Sequence, residues 1–264
     1  MWIRLRQIAF VAHELAPVID TLSDVLGVQA CYVDPGVKVF GLENTLLAVG
    51  NQFVEVVAPI EENTAGGRYL ERRNGDGGYM AIMQCDEHAP RKARAKELGI
   101  RFAYDHETPG EYRILQLHPR DTGGTFLEID EQLGDRALEP DGPWHPAGPN
   151  WQRAKKTDVV TGIAAAEIQS DDPAPLAQRW ADILDAAIEH DDEGHDIIRL
   201  DNAVLRFVTA TDGRGEGLAA IDVLTVDRDR VLEAAGRRGC PVTENQVTIG
   251  GVRINLVPAI AAEV

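Results

Sequence analysis

The sequence has little cysteine and far fewer basic than acidic side chains. Its three cysteines, Cys31, Cys85 and Cys240, are far apart and form no C-x-x-C pair. This spacing argues against a disulfide framework and against a cysteine-based zinc site. Lys and Arg number 26 against 43 Asp and Glu, so the formal net charge is −17. The clustered cations that bind nucleic acid or anionic membranes are therefore missing, and we predict neither partner.

Long apolar runs are also missing. No stretch approaches the roughly 20 apolar residues that span a bilayer. Arg4 and Arg6 interrupt the first apolar stretch, and no small-residue cleavage site follows it, which is unlike a signal peptide. Together with the unpaired cysteines, these features predict a cytoplasmic location.

One structural plan recurs four times along the chain. Each segment opens with an apolar strand, continues through an amphipathic helix and ends in short strands. Apolar residues three and four positions apart, followed by a glycine, indicate the helices. The predicted helices cover residues 16–26, 89–98, 174–187 and 228–238, and the glycines that follow three of them are Gly27, Gly99 and Gly239. The recurrence predicts an α+β protein of four βαβββ modules.

A proline-rich segment separates the second module from the third. Its prolines are Pro140, Pro143, Pro146 and Pro149, and they interrupt regular structure. We therefore predict a domain at residues 1–132, a linker at 133–157 and a second domain at 158–264. Trp144 and Trp151 are unusual in a plain spacer. They either dock the linker onto a domain surface or cover the mouth of a cavity.

Three local sequences of the first half carry a resemblance to a known family. They are GNQFVEVVAP at residues 50–59, YLERRNGDGG at 69–78 and HPRDTGGTFLEI at 118–129. They resemble the vicinal-oxygen-chelate superfamily, which includes glyoxalase I, extradiol dioxygenases and bleomycin-resistance proteins, and within it the methylmalonyl-CoA epimerase branch. The resemblance covers residues 5–131. It implies two glyoxalase-like domains, in which each pair of modules forms an open, cupped mixed sheet.

The resemblance also implies a cup in which four inward side chains bind a divalent metal. The corresponding positions of the first half hold Gln7, Glu55, Met80 and Glu128. Two of them replace histidine: Gln7 offers only a weak amide ligand, and the Met80 thioether suits Mg, Mn, Co or Zn poorly. The predicted ligands of one such metal are therefore Gln7, Glu55 and Glu128, with Met80 in the fourth position. No nucleotide cofactor is predicted, because no Lys-Ser or Lys-Thr follows the glycine-rich residues 75–78.

Glu55 and Glu128 are the predicted catalytic residues. Strand alternation alone leaves open whether each faces solvent or a cavity, and the resemblance places both inside the cup. Two carboxylates in a low-dielectric cup have separated pKa values. Such a pair could remove a proton next to a carbonyl on one face and return it on another.

His118 and Arg120 are the predicted substrate-binding residues. The planar guanidinium of Arg120 could pair with a carboxylate or phosphate, or it could be a solvated turn residue. His118 could donate to an enolate oxygen, or it could simply close the turn before Pro119. We expect Tyr79 to pack in the core and His13 to lie at the surface.

The second half is predicted to hold no metal. Its corresponding positions are Ala164 or Ala165, Arg206, Ile221 and Asn255. Only Arg206, if it faced the interior, would suggest an anion site.

The resemblance implies a glyoxalase-like enzyme with proton-transfer chemistry of the isomerase or lyase kind. The implied substrate is a small oxygenated molecule such as a 2-oxo acid or a thioester. The alternative is a non-catalytic small-molecule binder of the bleomycin-resistance type. Extradiol-type dioxygenase activity is disfavoured, because its iron needs two histidines and a carboxylate. The plan also allows a homodimer, in which modules pair by exchange between two chains.

Overall fold

The computed structural model describes residues 2–259. The first half contains β1 (Ile3–Val11), α1 (Leu15–Leu26), β2 (Gln29–Tyr32), β3 (Leu42–Val49), β4 (Gln52–Pro59), α2 (Ala65–Arg73), β5 (Gly77–Cys85), α3 (His88–Glu97), β6 (Phe102–Thr108), β7 (Tyr112–Leu117) and β8 (Phe126–Gln132). The second half contains β9 (Val160–Ser170), α4 (Pro173–Leu184), β10 (Glu189–His190), β11 (Asp196–Arg199), β12 (Val204–Thr209), β13 (Gly217–Thr225), α5 (Arg228–Arg237), β14 (Gln246–Ile249) and β15 (Val252–Pro258).

The strands form two open mixed sheets. The first has the order β2-β3-β4-β1-β5-β8-β7-β6, and the second has the order β10-β11-β12-β9-β13-β15-β14. In each sheet a module's first strand pairs in parallel with its last strand, as β5 does with β8 and β13 with β15. Short edge strands then run antiparallel to that last strand. The predicted α+β class and the two open mixed sheets are confirmed.

The fourth module departs from the βαβββ plan. After α5 the described residues, up to 259, form the two strands β14 and β15, and an isolated bridge between Val242 and Val247 stands where a third strand is expected. Pro241 precedes this bridge and has no N–H to donate to a ladder, which explains why the pairing does not extend.

The helices form where the apolar spacing predicts them. In α1 the buried side chains are Val18, Leu22, Val25 and Leu26, and Gly27 ends the helix with φ +66°. That left-handed conformation is open to glycine at little cost. Helix α4 begins at Pro173, one residue before the predicted start, and ends at Leu184, three residues before the predicted end. Helix α2 is not among the predicted helices, and its last residue, Arg73, falls within the motif at residues 69–78.

The described residues pack into two compact units, each of which draws on both halves of the chain. One unit contains residues 2–8, 79–145 and 165–219, and the other contains residues 9–78, 146–164 and 220–259. The first unit thus holds most of the second and third modules, and the other holds most of the first and fourth. The proline-rich segment contains two short 3-10 helices, His145–Ala147 and Trp151–Ala154. The predicted division at residues 132 and 158 stays a prediction.

The turn between β3 and β4 depends on one glycine. Gly50 has φ +62°, and a Cβ placed there would lie 2.0 Å from the carbonyl oxygen of Thr161. Both the left-handed backbone and the contact with a main-chain atom oppose any side chain at this position.

We expect Gly50→Ala to lower the free energy of unfolding by more than about 2 kcal/mol, because backbone strain and a clash add together. Gly236→Ala is the matched control, since that glycine lies inside α5 with open space around it. The control should raise stability by about 0.5–1 kcal/mol. Urea unfolding of both variants measures the difference, and equal effects would contradict the role of Gly50.

Candidate functional site

Strand β8 carries two buried carboxyl groups on one face. Glu128 and Asp130 are two residues apart, so they point to the same side of the sheet, and their exposed fractions are 6% and 0%. No side-chain donor from the described residues meets either oxygen of Asp130. The two carboxyls interact through a hydrogen bond in which protonated Asp130 donates to Glu128, and the main chain of Leu115 also interacts with Asp130. Asp130 is a candidate site residue that the sequence analysis did not identify.

Gln116 on β7 orients Glu128. The two residues lie opposite each other in the antiparallel pairing of β7 with β8, and Gln116 Nε2 donates to Glu128 Oε2 at 2.9 Å. The same nitrogen lies 3.9 Å from the sulfur of Met80. The amide therefore occupies one carboxylate oxygen of Glu128, whose carboxyl also interacts with Asp130.

Burial favours the protonated form of both acids. Desolvation raises the pKa of Glu128 to about 7, against an ordinary value of 4.5, and the hydrogen bond from Gln116 partly opposes this shift. Desolvation also raises the pKa of Asp130, and the nearby charge of Glu128 raises it further. Two like charges so close together cannot both ionise readily. Near neutral pH the pair therefore retains at least one proton.

An aromatic side chain flanks the acid pair. Tyr104 on β6 lies opposite Gln116 in the strand pairing. Desolvation raises the pKa of its phenol, and the charges of Tyr112 and Glu128 act in the same direction. The register places Tyr104, Gln116 and Glu128 side by side on three neighbouring strands, which makes Tyr104 a candidate for the same site. No motif in the sequence marks it.

The predicted substrate-binding residues lie in the turn before β8. His118 N donates to Arg101 O, and its ring nitrogen Nδ1 accepts from the backbone nitrogen of Arg120. Desolvation lowers the pKa of His118, and the charge of Arg101 lowers it further. The Arg120 side chain is exposed. Within residues 2–259 neither residue forms a hydrogen bond to Glu128, so their role in binding stays a prediction.

Gln7 is bound by the linker. The indole Nε1 of Trp144 donates to Gln7 Oε1 at 2.7 Å, and the exposed fraction of Trp144 is 1%. The guanidinium of Arg6 lies 5.7 Å from the centre of the Trp144 ring and donates to the carbonyls of Pro140 and Gly142. The linker is therefore docked by a buried polar network, and the docking alternative for Trp144 is the one observed.

Glu55 lies in the other unit. Asn44 Nδ2 donates to Glu55 Oε1 at 2.5 Å, and Asn44 Oδ1 accepts from the backbone nitrogen of Asp34. Trp151 packs edge-on against Phe53, with ring centres 5.0 Å apart. The second linker tryptophan is thus also docked, close to the strand that carries Glu55. The expected pairing of Glu55 with Glu128 stays a prediction.

The donors that the first unit offers do not suit a divalent metal. Met80 presents a thioether, and the Gln7 oxygen already accepts from an indole. Glu128 favours the protonated form, whereas metal ligands must be deprotonated. Within residues 2–259 no group of three or more His, Cys, Asp or Glu side chains could hold a metal ion.

Tyr79 and His13 lie as expected. Tyr79 is buried and packs on Phe126 with ring centres 5.0 Å apart. His13 is largely exposed and pairs with Asp76 at 2.8 Å.

The second half differs from its predicted arrangement in two respects. Arg206 lies between two carboxylates, 3.2 Å from Asp191 and 3.8 Å from Glu167, so it is already paired and offers no anion site. In the pairing of β13 with β15, Asp222 lies opposite Asn255, and Ile221 faces the other way. The predicted position of Ile221 is therefore wrong by one residue, which moves a side chain to the opposite face of the sheet.

Comparisons with known proteins agree on the fold. A family model described as a glyoxalase-like domain matches residues 8–184. A hypothetical protein from Staphylococcus aureus is similar in structure over 98% of this chain and 100% of its own, with TM-score 0.66 and 10% identity. A mutant 4-hydroxymandelate synthase from Streptomyces coelicolor is similar over 89% of this chain and 75% of its own, with TM-score 0.63 and 15% identity.

A smaller likeness is to the methylmalonyl-CoA epimerase from Mycobacterium tuberculosis. It covers 49% of this chain and 88% of that one, with TM-score 0.44 and 23% identity. No curated protein is similar enough to count as a match. The expected resemblance to the vicinal-oxygen-chelate superfamily is confirmed.

Within residues 2–259 none of the helices has the length and apolar character needed to cross a bilayer.

The acid pair should make stability depend on pH. Because folding raises the pKa of Glu128 to about 7, its stabilising contribution is complete below pH 4.5 and is lost as the pH rises through 7. Between pH 5 and pH 8 the free energy of unfolding should fall by on the order of 3 kcal/mol more in the wild type than in Glu128→Gln. Urea unfolding at both pH values measures this. An exposed control, Glu62→Gln, should keep the wild-type slope.

The donor set also predicts weak metal binding. After incubation with Zn²⁺ or Mn²⁺ and gel filtration, elemental analysis should find well below one equivalent of metal per chain. The variant Met80→His restores a nitrogen donor beside Glu128 and should raise Zn²⁺ retention. Stoichiometric metal in the wild type that is lost in Glu128→Ala would contradict this expectation.

Proposed function

Since the chain belongs to the glyoxalase-like domain family, we propose that it is an enzyme that moves a proton at a carbon next to a carbonyl. The observation that carries the proposal is the buried pair of Glu128 and Asp130, whose Glu128 has a pKa of about 7. A general base or acid is most effective when its pKa lies near the working pH. Perturbed carboxyls of this kind concentrate at functional sites.

Glu128 is the proposed base. Gln116 donates to its Oε2 and so orients the carboxylate, which takes the proton from the substrate carbon. The electron pair of that C–H bond moves to the carbonyl oxygen and forms an enolate. Return of a proton to carbon restores the carbonyl, and return on the opposite face inverts the carbon. Asp130 shares the proton with Glu128 and so holds it close to the enolate.

The enolate oxygen needs a donor. The Tyr104 phenol is the proposed donor, because its raised pKa keeps it protonated near neutral pH and because it lies opposite Gln116 in the sheet. Arg120 and His118 are proposed to hold an anionic group of the substrate. The proposed substrate is a small 2-oxo acid or an acyl thioester. Glu55 remains a proposed catalytic residue, and a homodimer remains a proposed assembly.

One observation favours a non-catalytic alternative. Two of the predicted ligand positions carry a thioether and an amide whose oxygen already accepts from Trp144. A protein that only sequesters a small molecule, as drug-binding members of this class do, would need no reactive metal. The same experiment separates the two functions, since a binder does not exchange carbon-bound hydrogen.

The test is hydrogen exchange at carbon. Pyruvate and propionyl-CoA are incubated with the protein in deuterated buffer, and proton NMR follows loss of the signal next to the carbonyl. We expect exchange in the wild type and a loss of at least about 100-fold in Glu128→Gln. Glu131→Gln is the matched control, because Glu131 is the neighbouring strand residue and pairs with Arg113 at 2.7 Å.

That control should retain exchange, since its side chain points to the other face of β8. Asp130→Asn should keep part of the exchange and shift its pH profile, because the hydrogen bond between Asp130 and Glu128 lowers the pKa of Glu128 and this substitution alters it. Exchange that is no faster in the wild type than in Glu128→Gln would contradict the proposal and favour the binder.

A further inference from the structure

A cavity of about 740 Å³ lies in the unit that contains the fourth module. It is bordered by the ends of β13 and β15, the start of α5 and the loop that leads into β14. Six of its lining residues are polar: Thr225, Arg228, Thr243, Asn245, Gln246 and Asn255. This volume is that of a typical small-molecule site, and the carboxyl ends of parallel strands are a common place for one.

A directed relay of hydrogen bonds leads into this cavity. Asn255 Nδ2 donates to Asp222 Oδ1 at 2.7 Å, and Gln246 Nε2 donates to Asn255 Oδ1 at 2.7 Å. The carboxylate of Asp222 can only accept, so it sets the direction of both amides. The relay therefore ends on the side-chain oxygen Oε1 of Gln246, which is an acceptor at the cavity wall.

The second module contains a similar row of polar side chains across its strands. There the acid lies on the last strand, β8, whereas in the fourth module it lies on the first strand, β13. In the second module Gln116 donates to Glu128, and the residue opposite Glu128 on the first strand is the apolar Ile82. In the fourth module Gln246 donates to Asn255, and the opposite residue is Asp222. The glutamine is thus kept in both, whereas the reactive acid is replaced by a neutral amide. This arrangement suits recognition of a ligand better than proton transfer.

The opposite end of the cavity is cationic. Arg228 is the first residue of α5, and its Nη1 donates to Asn245 Oδ1 at 2.7 Å. The side chain is about half exposed, and its Nε lies 3.6 Å from Asp229 Oδ1, so Nη2 is the donor proposed for a ligand. An anionic group fits here and not at the relay, because Asp222 would repel it at the relay end.

We propose that this cavity binds a small hydroxycarboxylate. Its carboxylate would pair with Arg228, and a hydroxyl would donate to the side-chain oxygen Oε1 of Gln246. The site lies apart from Glu128 in the chain and does not rest on the proposed proton transfer. It makes the fourth module a ligand-binding module, which the sequence did not indicate.

Calorimetric titration with gluconate tests the proposal. Glucose lacks the carboxylate and hexanoate lacks the hydroxyls, so each should bind at least about tenfold more weakly than gluconate. Arg228→Gln and Gln246→Leu should each weaken gluconate binding by about tenfold or more. Arg230→Gln is the matched control, because Arg230 lies on the same helix and pairs with Asp158 instead.

The control variant and Glu128→Gln should bind gluconate as the wild type does. Circular dichroism establishes that each variant is folded. The proposal is overturned if gluconate binds no better than glucose, or if Arg228→Gln leaves its affinity unchanged. Loss of binding in Glu128→Gln would also overturn it, since the ligand would then occupy the other site.

Discussion

The alternation of side chains along a β-strand determines which polar groups of this protein meet. Residues two apart share a face, and residues opposite each other in a ladder share it too. The register of β7 with β8 brings Gln116 to Glu128, and the spacing along β8 adds Asp130. The register of β13 with β15 brings Asp222 to Asn255. A slip of one residue in either ladder would dismantle the site on it.

Burial then gives these groups their chemistry. A lone carboxylate in a water-free interior is costly unless it is paired or protonated. The Gln116 amide donates to Glu128, and desolvation favours the protonated form of both Glu128 and Asp130. The buried arginines show the same rule with the opposite sign. Desolvation lowers the pKa of Arg6 to about 8, and the charge of Arg4 lowers it further, while linker carbonyls bind its guanidinium.

Much of the fold was predictable because it depends on local patterns. Apolar spacing and the glycine at position 27 were enough to locate α1, and the motif at residues 118–129 was enough to place Glu128 on the last strand of its module. The site was harder, because register is a property of two strands. Asp130 resembles an ordinary strand residue until its neighbours in the sheet are known. Because the sequence analysis assigned Ile221 to the inward position, one residue away from Asp222, it did not identify Asp222. Trp144 could be identified as unusual, but its contact with Gln7 joins two residues whose positions differ by 137.

The interleaved make-up of the two units bears on how the protein is synthesised. One unit needs residues 165–219 and the other needs residues 220–259 before its contacts are complete. A ribosome that has released only the first half has therefore produced neither unit. Until then the nascent chain exposes apolar strands, a situation that slows folding and invites aggregation. Late completion of both units is the consequence of building each from distant parts of the chain.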